Sequence, residues 1–488
     1  MSKQTAEPPR VRTLLPVLVF VGMVVAVVSS LGAPLVPTIA AVERVSLSSA
    51  QWSLTITLLA GALATPTMGR LGDGPRRRTV ILAGLAAVVT GSVLAALPIS
   101  FSVLLVGRAL QGVGLGLTPL AIATARDALP PEQAKPGVAL LSITTVAGVG
   151  LGYPLTGVIS QTLGIHAAFW FGASVSALAL VLAAVVVPSS ETLPSVPLDA
   201  TGAALLGAAL AALLLALSEG GHWGWTSGRL LALLTCAVVL LPAWVAHELR
   251  AAHPLVELRL VRRRSVLTAD VTALLAGVGM YLLMSLVTRF VQTPRSVTGY
   301  GFSSSVAVAG LILLPFSLAS VAASRVAAFL ARRSSPERVL PMGCGLFLAA
   351  MLAFVVARGS YWQVTGTMVL AGLAVGCTFA VMPALIVRAV PAQETGSAMS
   401  FNQVLRYVGY SVGSALSATV LQAHTPRGHV LPSASGYGAA GLLGCGVWAL
   451  ALALSLGLPG PRALVLEQDE ADAGGDGHGS VPGLVGTR

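Results

Sequence analysis

The chain alternates long apolar runs with short polar breaks. A membrane-spanning helix takes about 20 consecutive, mostly apolar residues. Runs of that kind recur near 14–38, 52–68, 79–97, 102–123, 137–160, 168–188, 200–218, 229–247, 266–288, 303–325, 338–357, 363–386, 397–421 and 437–457. The pattern predicts an all-α polytopic membrane protein with fourteen transmembrane helices. The first run extends from Leu14 to beyond Val36, too long for a signal-peptide core, and reads as an uncleaved span. After Gly460 the chain becomes polar, acidic and Gly-rich (EQDEADAGGDGHG), the composition of a disordered tail.

Composition agrees with the pattern. The 488 residues are 55% hydrophobic and 10% charged, with mean hydropathy +0.85. Soluble domains are about 45–50% apolar and about 25% charged. Cys236, Cys344, Cys377 and Cys445 all lie inside apolar stretches without a C-x-x-C spacing, and the histidines show no ligand spacing, so no metal site or disulfide framework is expected. No cofactor is expected either, and the lipid bilayer is the partner that composition itself implies.

The net charge of +11 first suggests a nucleic-acid partner. The positions of the charges remove that reading. With a cytoplasmic N-terminus, twenty-one of the 29 Lys and Arg fall on the cytoplasmic side, six on the other, and Arg108 and Arg406 within spans. Such a bias orients membrane proteins. It predicts both termini in the cytoplasm and an even number of spans.

The chain also repeats itself. MGRLGDGPRRRTVILAG aligns on AAFLARRSSPERVLPMG, and PGVALLSITTVAGVG on TGSAMSFNQVLRYVG, both at an offset of 259 (343 − 84 for Gly84 and Gly343). The expected organisation is a cytoplasmic segment 1–13, a six-helix bundle 14–188, a linker 189–199, two inserted helices 200–247, a basic loop 248–265, a second six-helix bundle 266–457 and a tail 458–488. Two parallel six-span repeats place a substrate site at the midplane between them.

Four stretches now carry a family resemblance. GRLGDGPRRR, with Gly69, Leu71, Asp73, Arg77 and Arg78, resembles the loop signature between spans two and three of the major facilitator superfamily. GRALQGVGLG (Arg108, Gln111, Gly112, Gly114) resembles its span-four motif. AGVGLGYPLTG (Gly148, Gly152, Pro154, Gly157) resembles the Gly/Pro motif of its exporters, and HWGW (Trp223, Trp225) a loop of the fourteen-span drug:proton antiporters. The resemblance covers nearly the whole chain. Gly74 and Arg76 depart from the loop signature, Pro154 is displaced by one, and the first span (SSLGAPLVPTIAA) lacks the acid common in that branch.

The resemblance implies proton-driven efflux of small amphipathic compounds, a drug, antibiotic or secondary metabolite, across the cytoplasmic membrane by a monomer. A proton-coupled importer and a non-transporting sensor or scaffold are the alternatives. No GxxxxGK[ST] phosphate loop, nucleophile elbow or metal signature occurs, so an enzyme is not expected.

A charge deep in the bilayer costs at least ~2.5–3.5 kcal/mol and marks a function by default. Arg108, beside Gln111, is therefore either a gate or proton-relay residue or an arginine satisfied by carbonyls that ties spans together. Asn402, Gln403 and Arg406 either line the cavity or hold helices together by hydrogen bonds. Asp270 is the one acid of 18 Asp and Glu inside a span, and so the candidate proton carrier, although its shallow depth equally suits a loop-facing acid. Gly148, Gly152, Pro154 and Gly157 are read as a close-packed, bendable seam or as ordinary transmembrane glycine content. By the family's pattern Gly69, Asp73, Arg77, Arg78 and Asp127 form a charge network at the gate. Arg108 and Arg406 in an acid-poor cavity predict neutral or anionic substrates over cations.

Overall fold

The computed structural model describes residues 9–31, 35–189, 197–333, 336–426 and 431–457. The 458–488 tail, residues 1–8 and 190–196 of the linker lie outside the described residues. Among the described residues every regular element is a helix.

The first apolar run folds as α1 (Pro9–Ser30) and α2 (Val36–Val42). There follow α3 (Leu47–Gly72), α4 (Arg77–Ala96), α5 (Phe101–Val113), α6 (Leu117–Ala128), α7 (Pro131–Leu163) and α8 (Ile165–Val186). A single 3-10 turn, Gly114–Gly116, joins α5 to α6, so both serve one run. Next come α9 (Ala200–Trp223), α10 (Gly228–Glu248) and the short α11 (Leu258–Val261). The last group is α12 (Arg264–Gln292), the short α13 (Arg295–Thr298), α14 (Val306–Arg333), α15 (Pro336–Val356), α16 (Tyr361–Ala389), α17 (Thr395–Ala423) and α18 (Ala434–Leu456).

Polar caps set several helix starts by accepting an otherwise orphaned amide. Ser46 accepts from Ser49, Ser100 from Val103, and Asp199 from the Gly202 amide at 2.9 Å. Ser360 and Gln363 form a reciprocal capping box. Gly164, at φ +87°, turns α7 directly into α8, a backbone angle that only glycine adopts freely. The helices overrun the apolar stretches that announce them. The 33 residues of α7 extend about 50 Å at 1.5 Å per residue, against about 30 Å of hydrocarbon. Hydropathy detects the apolar middle, while backbone hydrogen bonding carries the helix on through its polar ends.

Among the described residues, eleven helices are long and apolar enough to cross a membrane. Three further long helices, α3, α7 and α17, fall outside that count. Large apolar side chains such as Val181 and Val185 on α8 and Val238 and Val239 on α10 are exposed, as lipid-facing residues are in a multi-pass membrane protein.

The packing repeats along the chain. α1 packs on α7 and α8, α4 on α5 and α8, and α3 on α5. Later, α12 packs on α17 and α18, α15 on α16 and α18, and α14 on α16. The first residues of α3 and α14 are 259 positions apart (306 − 47), the offset found in the sequence. Between the two groups α7 runs along α14, while α3 and α6 lie against α17. α9 pairs with α10 and rests on both α3 and α17.

Candidate functional site

A cavity of about 430 Å³ lies where α1, α3, α9, α12 and α17 come together. On α17 it is lined by Tyr407, Tyr410, Ser411, Ser414 and Ala418, spaced three and four apart and so on one helix face. On α3 the face is Gln51, Leu54, Thr55, Leu58 and Leu59. α1 contributes Ser29 and Ser30 from its last turn, and α9 contributes Leu214, Leu217 and Ser218. Thr55 and Ser218 are bonded at 2.9 Å, joining α3 to the inserted helix. Tyr281 of α12 stacks on Tyr410, centroids 4.5 Å apart, and Trp225 and Arg289 complete the wall. Such a surface, largely apolar and aromatic with a few hydroxyls, suits an amphipathic small molecule.

Arg108 stands behind this wall, fully buried. Its Nη1 donates to Val28 O at 3.1 Å and to Gln111 Oε1 at 2.6 Å. Its Nη2 donates to Ser29 O at 2.9 Å, and its Nε to Ser53 O at 3.0 Å. Gln111 in turn donates to Ser92 at 3.0 Å. The carbonyls of Val28 and Ser29 belong to the last turn of α1, past the reach of the helix's own amides, and the Val28 carbonyl also accepts from the Leu31 amide at 3.3 Å. Arg108 therefore caps the negative end of α1 with a positive charge and pins it to α3. This is the carbonyl-satisfied arrangement of the two anticipated from the sequence.

The opposite end of the α3–α17 contact is sealed. Asp73, the residue that ends α3, is fully buried and accepts from the amides of Gly396 at 2.6 Å and Ser397 at 2.8 Å. Those are orphaned donors of the first turn of α17. Burial pushes the Asp73 carboxyl up to about 7, against the lowering pull of the two amides. Gly69 lies against Ser400 and the Gly396 carbonyl, with no room for a Cβ. Arg70 bonds both oxygens of Glu394, at 2.9 and 2.8 Å. Arg126 donates to Val390 O at 3.3 Å and to Thr395. Arg77 bridges Gly72 O at 2.6 Å and Asp127 at 2.5 Å, bracing the loop from behind.

Arg78 turns away from this network and donates to Ala184 O of α8 at 2.7 Å. Arg70, Arg126 and Glu394 were not singled out in the sequence. Arg70 was in view in the loop stretch, but what it meets is 324 residues away, and the amides that hold Asp73 have no side-chain signature.

The placement of three residues on α17 corrects an expectation. Asn402, Gln403 and Arg406 are buried and do not line the cavity. Asn402 donates to Asp270 Oδ1 at 2.8 Å. Arg406 lies over the Phe379 ring, 4.2 Å from its centroid. Gly409 and Gly413 continue this face and press on the α12 backbone at Gly277 and Val278. The stripe is thus a helix-packing seam, and the cavity uses the neighbouring face of the same helix. The reasoning from Arg108 and Arg406 to the charge of the substrate falls with it, because neither faces the cavity.

Asp270 is buried between α12 and α17. Its Oδ2 has no hydrogen-bond partner among the described residues, and it borders a void of about 10 Å³ shared with Glu394 and Ser397 of the seal. On α7, Gly148 and Gly152 press on α1 near Ala26 and Ser30, while Gly150 presses on Ser317 of α14. Gly157 is looser, with Ala307 the nearest neighbour, and Pro154 is buried within the helix.

A multi-pass helical protein with a polar and aromatic cavity at one end and a charged seal at the other has the build of a solute transporter. Comparison with known proteins gives the family: the description "Major Facilitator Superfamily" matches residues 18–414, and the chain belongs to that superfamily. It is 29% identical over 84% of its length to an uncharacterised MFS-type transporter of Mycobacterium tuberculosis strain H37Rv, and spans 59% of that relative's length. It is 30% identical to multidrug resistance protein Stp of the same strain, over 76% of this chain and 69% of the relative. The crystal structure of the human organic anion transporter MFSD10 (TETRAN) shares the fold, with TM-score 0.65 and 19% identity, over 92% of this chain and all of that one.

Proposed function

We propose that this protein is a proton-driven exporter of small amphipathic compounds, working as a monomer by alternating access. One observation carries the reading. The same pair of helices, α3 and α17, is sealed at the Asp73 end by buried charge and parted at the other by a cavity. A transporter caught in one of its two states has this form.

In this reading α3, α7 and α17 join the eleven apolar helices to make fourteen spans. Residues 14–188 and 266–457 are the two rocking halves, and 200–247 the inserted pair. The bias of Lys and Arg puts the Asp73 seal and both termini in the cytoplasm, in the inner membrane. The cavity then faces outward, and the seal must break to load substrate from inside. Asp270 is the proton carrier, placed between the halves' moving contact and the Asn402 amide. Arg108 and Gln111 hold the α1 end that lines the cavity. Gly148, Gly152, Pro154 and Gly157 let α7 stay close to its neighbours while bending. The relatives named as multidrug resistance proteins support export over import.

Everted vesicles with an imposed pH gradient test the proposal. They should accumulate a lipophilic drug, and an uncoupler should abolish the uptake. No flux across a broad compound panel overturns it.

A further inference from the structure

Among the described residues, Arg289 is the one charged side chain lining the cavity, and no acid lines it. The residue is exposed, and among the described residues its guanidinium has no carboxylate partner. The positive-inside bias does not explain it, since Arg289 stands at the end of the molecule where basic residues are few. Its place in the last turn of α12 suits the helix dipole, but the dipole does not require that the group face the cavity.

The surroundings point the same way. Tyr281 lies two turns back on α12, about 12 Å along the helix axis, a length that the Arg289 side chain itself partly spans. Tyr281 and Tyr410 stack at 4.5 Å and 21°, with Tyr407 edge-on to Tyr410 at 6.0 Å. The Tyr410 hydroxyl is buried and has no partner among the described residues. Ser411 and Ser414 add hydroxyls on the same face. An aromatic platform therefore leads to one cation, inside low-dielectric walls that concentrate its field. A cationic ligand would meet repulsion with no carboxylate to offset it.

We propose that Arg289 reads the charge of the transported compound, and that this cavity takes aromatic monoanions, the ring packed on Tyr281 and Tyr410 and the acid group paired with Arg289. The inference rests on the transporter reading above for its physiological meaning, but binding alone can test it.

The test uses full-length protein in lipid nanodiscs and three probes on one ring system: naphthalene-2-sulfonate, neutral naphthalene-2-sulfonamide and cationic 2-naphthyltrimethylammonium. Titration calorimetry should show the sulfonate binding about tenfold or more tighter than either other probe, the worth of one charge-assisted hydrogen bond. Arg289→Gln should erase that preference by weakening sulfonate binding far more than sulfonamide binding, while Arg289→Lys should keep most of it. Equal wild-type affinities overturn the inference whatever the variants do, as does a preference that survives Arg289→Gln. Vesicle flux separates the two readings. A sulfonate that binds through Arg289 but is not exported sinks the exporter and spares the site. Export of the neutral or cationic probe with no binding of the sulfonate does the reverse.

Discussion

The two ends of the α3–α17 contact are built from opposite materials. At the sealed end the helices meet through small residues, Gly69 on Gly396, and a carboxylate set on backbone amides. At the cavity end the facing positions are Leu58, Leu59 and Thr55 on one side and Ser411, Ser414 and Ala415 on the other, with α9 standing in the gap. Small surfaces and specific charge let two helices close completely. Bulk on one helix and a third helix between keep them apart. The seal is also chemically narrow, a few hydrogen bonds at one helix start, so a modest change there should shift the whole balance between states.

The most severe way to break this contrast is Gly69→Leu. Its side chain would enter the space of Ser400 and the Gly396 carbonyl, and overpacking of that kind costs about 1–3 kcal/mol. Drug flux in vesicles should fall by up to about a hundredfold at normal expression, with a cysteine introduced at Ala398, beside the seal, more open to thiol reagents; the chain's own cysteines, Cys236, Cys344, Cys377 and Cys445, lie on other helices.

Arg108→Gln comes next, at the cavity end. It would take the cap from the carbonyl of Ser29 and from that of Val28, which keeps the Leu31 amide, at about 1–3 kcal/mol for a buried group left unsatisfied. A lower melting temperature and about tenfold less flux are expected, with partial recovery in Arg108→Lys. Unchanged stability and flux would mean that α1 holds its end without help.

Asp73→Ala removes the acceptor from two amides of α17 and should raise thiol access at the sealed end by about tenfold. Access equal to wild type would leave Arg70–Glu394 as the true closure.

The smallest effect is on pH. The Asp73 carboxyl is raised to about 7 by burial in the sealed form, and an exposed aspartate titrates near 3.9. The sealed form therefore binds the proton more tightly, and sealing is favoured in acid. It weakens as pH rises toward 7 and levels off above it. Labelling of a cysteine introduced beside the seal, normalised to the exposed Cys236 because the thiolate fraction itself rises with pH, should be lower at pH 6 than at pH 8. Asp73→Asn, neutral and able to accept from one of the two amides, should weaken the seal less than Asp73→Ala does and flatten that profile.

Much of this frame was legible in the sequence. The apolar runs located the helices, and the offset of 259 between Gly84 and Gly343 recurs in the starts of α3 and α14. GRLGDGPRRR marked the seal because charge in so apolar a chain stands out. The cavity was harder to see. Tyr407 and Asn402 sit on one helix five residues apart, and only the position of α12 decides which face is seam and which is wall. Arg289 lies past the apolar run that ends at 288, whereas α12 continues to Gln292. Apart from Gln111, the groups that Asp73 and Arg108 bind are peptide amides and carbonyls, which every residue carries and no sequence pattern distinguishes.

The position of α9 has one more consequence. Because it rests on both α3 and α17 and bonds Thr55 through Ser218, it closes the side window between those helices to the surrounding lipid at the depth of the cavity. A compound held there meets water at the mouth and protein at the flank. Its exchange on that side is a matter of solubility in water, not of partition into lipid.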